Sequence, residues 1–149
     1  LLAFVRGLVN VFGAHPVLHR RNFLQGRLVA GSSVKDLTWY AFDGSEMTDA
    51  AWAGARSFGL RLAGDAISET DAHGQPIVDD TLLLLLNASE ARVPFALPAD
   101  HGAEWSLVLD TTSAEPPSAP GAARSRHVAG SSYEVQPLSV VLFVLPRDG

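Results

Sequence analysis

The chain has 149 residues, of which 47% are hydrophobic, and it contains 0 cysteines. This length allows one domain with its own core, and the absence of cysteine excludes disulfides and thiolate metal sites. The net charge of −5 argues against a basic nucleic-acid-binding surface, and no apolar run reaches the ~18 residues of a membrane span, so we expect neither partner.

The first predicted element is a helix over residues 1–14, because apolar side chains recur there at helical spacing. Pro16 would end it, since the residue before a proline is disfavoured in the α region. Gly7 and Gly13 each cost about 1 kcal/mol relative to alanine, so this helix depends on packing. We expect it to pack on the rest of the chain, to pair with a second copy, or to fray.

Residues 36–64 predict two strands joined by a short helical turn. Side chains alternate over residues 37–42 with the period of a strand, and the Asp-Gly at 43–44 favours a tight turn. Thr48 is the candidate N-cap of the helical turn. A second alternating strand is predicted at 57–63.

Further strands are predicted along the rest of the chain. Five consecutive leucines at 82–86 indicate a strand buried on both faces, and the prolines within 93–97 indicate an edge strand. Residues 105–109 predict another strand, whereas 112–131, rich in Pro, Ala, Ser and Gly, predict a mobile excursion. Residues 133–145 form the final strand region, which is apolar on both faces at its end and is therefore expected to be central. Six or more short strands with turns between them predict an all-β, antiparallel β-sandwich preceded by one helix.

Several of these segments resemble a known family, the bacterial glycogen debranching enzymes. These are isoamylase-type members of the α-amylase superfamily of glycoside hydrolases. The resembling motifs are Asp36-Leu-Thr-Trp39, Asp43-Gly-Ser-Glu-Met-Thr-Asp49, Trp52 and the strand that ends at Gly64, flanked by His15–Gly26, Asp79–Leu82, Asn87-Ala88 and Trp105–Thr111.

The resemblance implies the C-terminal β-sandwich domain that follows the catalytic barrel of such an enzyme. Residues 1–21 would be the remnant of the last barrel helix and of the segment that leaves it, and residues 22–149 the sandwich domain. The chain begins inside an apolar pattern without a start methionine, which also suggests a fragment. The expected partner is the catalytic barrel of the same polypeptide, and the expected location is cytoplasmic.

By the same resemblance, the parent enzyme hydrolyses α-1,6 branch linkages in glycogen or limit dextrin. Its catalytic carboxylates lie on barrel strands whose motifs are not in this sequence. We therefore expect no catalytic residue, no cofactor and no activity from this chain alone. Its role would be to stabilise the barrel, with contacts to the glucan as a further hypothesis.

The acidic residues and histidines do not predict a reactive site. Retaining glycosidases need two carboxyl groups about 5 Å apart across one bond. Asp79 and Asp80 are adjacent, and neighbours in a strand point to opposite faces, so we interpret them as a polar strand entrance. His15 and His19 have helical ligand spacing, but Pro16 between them disrupts such a helix, so no metal site is expected.

Aromatic side chains are the candidate glucan-binding residues. Trp39, Tyr40 and Trp52 offer rings that could stack on glucose. Large rings in strands are more often core, so Trp39 and Trp105 are expected in the core. Trp52, on a short polar helical turn, is expected to be partly exposed and is the first candidate for glycan contact.

Two other functions remain open at this stage. One is an autonomous α-glucan-binding module that uses a surface aromatic pair. The other is an interaction domain in which the apolar surface of the N-terminal helix drives self-association.

Overall fold

The structure, a computed structural model, describes residues 1–99 and 102–147. No helix in these two ranges is long and apolar enough to cross a membrane. The described elements are α1 (Leu2–Ala14), a 3₁₀ turn (Pro16–Leu18), β1 (Leu37–Tyr40), α2 (Asp49–Trp52), β2 (Ser57–Leu62), β3 (Thr81–Asn87), β4 (Val93–Ala96), β5 (Glu104–Asp110), β6 (Ser125–Val128), β7 (Ser132–Val135) and β8 (Ser139–Leu145).

Six of the strands form one antiparallel sheet in the order β1-β2-β3-β8-β5-β6, and β4 pairs with β7 in a second, smaller sheet. The predicted central position of the last strand is confirmed, because β8 lies between β3 and β5. The predicted all-β sandwich with one N-terminal helix is therefore confirmed.

The large sheet has an apolar layer on each face. One layer, which we call the inner core, lies between the two sheets and contains Leu83, Leu85, Trp105 and Phe95. The other lies on the outer face of the large sheet. Because side chains alternate along a strand, the leucine run of β3 contributes to both layers, as its sequence predicts.

Helix α1 covers part of the outer face. Val11 of α1 is 4% exposed and packs with Leu82, Leu142 and Val144 of the sheet, with Phe4 at the edge of the same cluster. Of the three outcomes expected for the N-terminal helix, the structure shows the first, packing on the sandwich. This contact compensates for the weak intrinsic helix propensity of a segment with two glycines.

Three strand predictions differ from the structure. The segment 112–131 contains β6, which pairs with the edge of β5, because backbone pairing to a distant strand overrides a loop-like composition. The final strand region is two strands in different sheets, β7 and β8, separated by Leu138 at a φ of 51°. Strand β1 ends at Tyr40, two residues earlier than predicted.

Gly7 allows α1 to approach the loop before β6. A Cβ built on Gly7 would lie 2.7 Å from Cδ of Pro117, whereas a Cβ on Gly13 would meet nothing within 4 Å. We expect Gly13→Ala to stabilise the chain through helix propensity. Gly7→Ala should give a free energy of unfolding about 1 kcal/mol or more below that of Gly13→Ala, because the added methyl must displace a proline ring. Urea unfolding of both variants measures the difference, and equal stabilisation would contradict the close packing.

Candidate functional site

Three aromatic rings form a cluster on the outer face of the large sheet, at its β1 edge. The ring centroids of Trp39 and Trp52 are 5.3 Å apart, and Phe58 lies 5.6 Å from Trp39 and 5.5 Å from Trp52. Trp52 is brought there by α2, whose predicted N-cap is confirmed, since Thr48 Oγ1 accepts from the Ala51 N–H at 3.3 Å. We call these three rings the aromatic cluster.

The predicted site residues do not all meet. Trp39 and Trp52 come together, but Tyr40 points to the opposite face of β1 and packs against the inner core. Trp105 is 0% exposed and its Nε1 donates to Pro98 O at 3.1 Å, which confirms the core prediction for that residue. Trp39 is only half-buried, so the same prediction for Trp39 is too strong.

Sequence reasoning missed Phe58 as a member of the cluster. The register pairs Trp39 with Leu60, which places Phe58 on the same face as Trp39. Alternation along each strand shows which side chains share a face of that strand. The pairing register of β1 with β2 is needed to show that Phe58 and Trp39 share the same face of the sheet. Trp52 is 40% exposed and is held by Trp39 edge-on and by the tilted ring of Phe58, so its outer surface is a preoriented apolar platform.

A second arrangement fixes the exit segment, by which we mean residues 15–26. This segment has no strand to satisfy its backbone, and three carboxylates of the sandwich accept its N–H groups instead. The carboxylates belong to Asp79, Glu69 and Asp36, with donor–acceptor distances of 2.9 to 3.0 Å. The donating N–H groups are those of Val17, Arg21, Asn22, Gln25 and Gly26.

Arg20 lies between two of these carboxylates. Its side chain is 5% exposed, and its guanidinium lies 3.8 Å from Asp36 Oδ2 and 3.9 Å from Glu69 Oε1. Buried charges are tolerated only when they are paired, so this arginine and the two carboxylates depend on one another.

The first anchor point of the exit segment is a buried ion pair. His15 Nδ1 lies 2.9 Å from Asp79 Oδ1, and the two side chains are 9% and 6% exposed. The hydrogen bond to Asp79 raises the pKa of His15, against the opposing effect of burial. Burial raises the pKa of Asp79, but the His15 hydrogen bond and the Val17 N–H outweigh it, so that pKa lies below its usual range.

Asp80 completes a group of three possible ligands, since one ligand atom each from His15, Asp79 and Asp80 lies within 4.8 Å of the others. Asp79 Oδ1 already accepts from His15 and from the Asp80 N–H at 2.7 Å, and Asp80 Oδ1 accepts from the Arg147 N–H at 3.0 Å. These bonds explain the group as a hydrogen-bonded junction. His19 is not part of it and instead contacts the Phe12 ring.

The expectation that Asp79 and Asp80 point to opposite faces of a strand is wrong, because β3 begins only at Thr81. Their backbone is packed against Gly64, where an added Cβ would collide with the carbonyl oxygens of both aspartates. The glycine that closes the 36–64 stretch is thus required by the close approach of this backbone segment.

The side of α1 that faces away from the sheet is apolar and exposed. Leu2 and Val9 are each 63% exposed, and Phe12 is 52% exposed. A helix with apolar residues on both sides is typical of a position between two layers. The structure provides one of these layers, the sheet.

Comparisons with known proteins agree on one family. The profile of the family described as isoamylase, C-terminal, matches residues 36–144. Glycogen operon protein GlgX homologues from Mycobacterium bovis and Mycobacterium tuberculosis are 37% identical over 115 residues, which cover 74% of this chain. The chain spans only 16% of the length of these curated relatives.

The His15–Asp79 pair makes a testable contribution to stability. Since the pKa of His15 is raised on folding, its contribution is present below the unfolded pKa of about 6.5 and is lost as pH rises through the folded value. Since the pKa of Asp79 is lowered, its contribution is present above about pH 3.9 and is lost as pH falls through the folded value. The pair should therefore stabilise most near pH 5.

We expect Asp79→Asn to lower the free energy of unfolding by about 3 kcal/mol near pH 5, and by less at pH 8. Urea unfolding across this pH range measures the difference. Asp65→Asn, at an exposed aspartate, is the control and should change little at any pH. If Asp79→Asn lowers the free energy of unfolding by the same amount at pH 5 and pH 8, the result would contradict the charged state of the pair.

Proposed function

Because this chain belongs to the isoamylase C-terminal family, we propose that it is the non-catalytic C-terminal accessory domain of a glycogen debranching enzyme. The parent enzyme hydrolyses α-1,6-glucosidic branch linkages in glycogen or limit dextrin. The observation that carries this proposal is the family match over residues 36–144, supported by relatives that are glycogen operon proteins. A chain without cysteine suits a reducing compartment, and we place the parent in the cytoplasm.

The partner of this domain is the catalytic barrel of the same polypeptide. Residues 1–21 are the remnant of the last barrel helix and of the segment that leaves it, and residues 22–149 are the sandwich domain. The apolar outer side of α1 supports this division, because exposed Leu2, Val9 and Phe12 would be covered by a barrel. The chain then stabilises the barrel by covering one side of it.

The bond-breaking groups belong to the barrel. Asp79 and Asp80 are adjacent carboxylates, and both are used to hold backbone N–H groups. A retaining mechanism needs one carboxylate free as nucleophile and a second carboxyl as acid. We therefore infer that the chain alone does not cleave glucan.

A second candidate function is an autonomous α-glucan-binding module. The aromatic cluster favours it, since Trp52 offers an exposed ring supported edge-on by Trp39. Tyr40, on the opposite face of β1, would not take part. On the accessory-domain hypothesis, the same rings would make only weak additional contacts with glucan.

Docking of α1 on the barrel predicts a stability effect that appears only in the parent. Val9→Glu places a charge on the exposed apolar side of the helix, which costs little in water but about 2 kcal/mol or more once a barrel covers it. We expect lower thermal stability of the parent enzyme and almost no change in the isolated chain. Asn10→Glu, at a position that is already polar and exposed, is the matched control.

Equal effects of Val9→Glu and Asn10→Glu in the parent would contradict docking through this face. Dimerisation of the isolated chain that disappears with Val9→Glu would instead favour self-association through α1. Release of reducing ends from branched glucan by the isolated chain would contradict the assignment of catalysis to the barrel.

If the aromatic cluster binds glycogen, removing its exposed ring should weaken that binding. We expect Trp52→Ala to weaken retention of the chain in glycogen-containing gels about tenfold, or ~1.4 kcal/mol, because the exposed ring face is lost. Phe23→Ala removes an aromatic ring that is 93% exposed but lies outside the cluster, and it should leave retention unchanged. Strong retention of the wild-type chain favours the binding module, and unchanged retention of Trp52→Ala would remove Trp52 from the site.

A further inference from the structure

A pocket of about 810 Å³ opens beside the exit segment. Its walls come from residues within 20–30, from Asp36 and from residues 67–68, and no ring of the aromatic cluster lines it. Ile67, in one wall, packs against the apolar layer on the outer face of the large sheet, so the pocket lies on that side of the sandwich. Its volume is that of a small-molecule site.

Arginine is concentrated in this pocket. Arg20, Arg21 and Arg27 line it, and Asp36 is the one acidic residue among its described lining residues. Glu69 lies 3.9 Å from Arg20, and even with that charge included the positive groups outnumber the negative ones. The chain as a whole has a net charge of −5, so the pocket differs in sign from the rest of the molecule. This local field favours an anion.

The two carboxylates near Arg20 are already used by the backbone. Asp36 accepts two N–H groups of the exit segment at 2.9 Å, and Glu69 accepts two more at 3.0 and 2.9 Å. Their distances to the Arg20 guanidinium, 3.8 and 3.9 Å, are too long for hydrogen bonds. The carboxylates therefore balance the charge of Arg20 without using its donors.

Arg20 thus keeps N–H groups that are not used. Its side chain is 5% exposed, and Nε and Nη1 have no hydrogen-bond partner among the described residues. Nη2 donates to Ala66 O at 3.5 Å, which is at the long limit for a hydrogen bond. Because buried charged donors are costly to leave unsatisfied, such a group in the wall of a pocket indicates a ligand that accepts hydrogen bonds.

The other two arginines are available to the same ligand. Arg21 and Arg27 are exposed, and neither guanidinium has a hydrogen bond or an ion pair in the part of the chain that the structure describes. A guanidinium can donate two parallel N–H groups to a pair of phosphate oxygens. Three such groups around one pocket suit the several acceptor oxygens of a phosphate better than the two of a carboxylate.

An apolar surface adjoins the arginines. Phe23 is 93% exposed and Leu28 is 62% exposed, and both line the pocket. Small-molecule sites combine a few charged groups that fix orientation with apolar side chains that cover the rest of the ligand. A ligand for this pocket would therefore carry an apolar or ring-containing group next to its phosphate.

We propose that this pocket binds the phosphate group of a small organic phosphate. Arg21 and Arg27 bond to the phosphate oxygens, Arg20 rotates its unused N–H groups toward them, and Phe23 packs against the organic part. The bound phosphate connects arginines from different parts of the exit segment and its following loop, so it stabilises both. This inference rests on the pocket and does not depend on the proposed accessory role.

NMR titration of the ¹⁵N-labelled chain with inorganic phosphate and with phenyl phosphate tests the proposal. We expect both to produce saturable shifts of the amides of Phe23, Ala30 and Ser68, which line the pocket. Phenyl phosphate should bind about fivefold more tightly, because its ring can pack on Phe23. Phenol, which lacks the phosphate, should not saturate, and added NaCl should weaken the binding of both phosphates.

Arginine variants link the binding to the pocket. Arg27→Gln should weaken phenyl phosphate binding about tenfold, because it removes one charged donor group. Arg56→Gln removes the same charge at an exposed arginine outside the pocket, and this matched control should bind like the wild type. Arg20→Lys keeps the charge between the two carboxylates but removes the guanidinium, and it should also weaken binding about tenfold.

A ring variant tests the apolar wall. Phe23→Ala should bind inorganic phosphate like the wild type but should lose the preference for phenyl phosphate. A preference that persists in Phe23→Ala would contradict the proposed position of the organic part.

Absence of saturable shifts with either phosphate, or equal weakening by Arg27→Gln and Arg56→Gln, would overturn the proposal. Binding of a glutamate-rich peptide without binding of phosphate would also overturn it, and would assign the pocket to an acidic protein segment. These outcomes are independent of the Val9→Glu effect in the parent and of Trp52-dependent glycogen retention, so failure of this site is distinguishable from failure of the proposed accessory role.

Discussion

The structure depends on three carboxylates that hold a segment whose only regular structure, in the described residues, is one 3₁₀ turn at Pro16–Leu18. The exit segment connects α1 to the sandwich, and without a partner the buried N–H of Val17 would cost a lost hydrogen bond. Asp79, Glu69 and Asp36 accept these N–H groups, and His15 and Arg20 balance part of the charge. This arrangement fixes where α1 leaves the sheet, so it also determines the direction in which the apolar side of the helix faces.

The outer face of the large sheet is where every candidate function of the chain meets. Helix α1 covers one part of it, and the aromatic cluster occupies the β1 edge. The inner face, by contrast, is closed by the second sheet and serves only packing. In a domain joined to a barrel, a sheet with one closed face can use the other for docking and for ligand contact.

The sequence identified several residues of the candidate site but did not show which of them lie next to one another. The sequence pointed to Trp52 and Trp39, yet Tyr40 belongs to the opposite face and Phe58 was missed, because ring neighbours depend on the register of β1 with β2. Asp79 and Asp80 were interpreted as a strand entrance with side chains on opposite faces, because alternation does not show that the strand begins only at Thr81.

Local regularities in the sequence determined the strand-rich class, the N-terminal helix, the double-sided burial of the leucine run and the motifs of the isoamylase C-terminal family. Hydrophobic periodicity and turn chemistry act between near neighbours, so they can be read without the fold. Only the tertiary structure decided that β6 forms within a loop-like segment, that β7 and β8 belong to different sheets, and which carboxylates bind the exit segment. Those outcomes depend on contacts between residues distant in the chain, whose energies become defined only when the chain is folded.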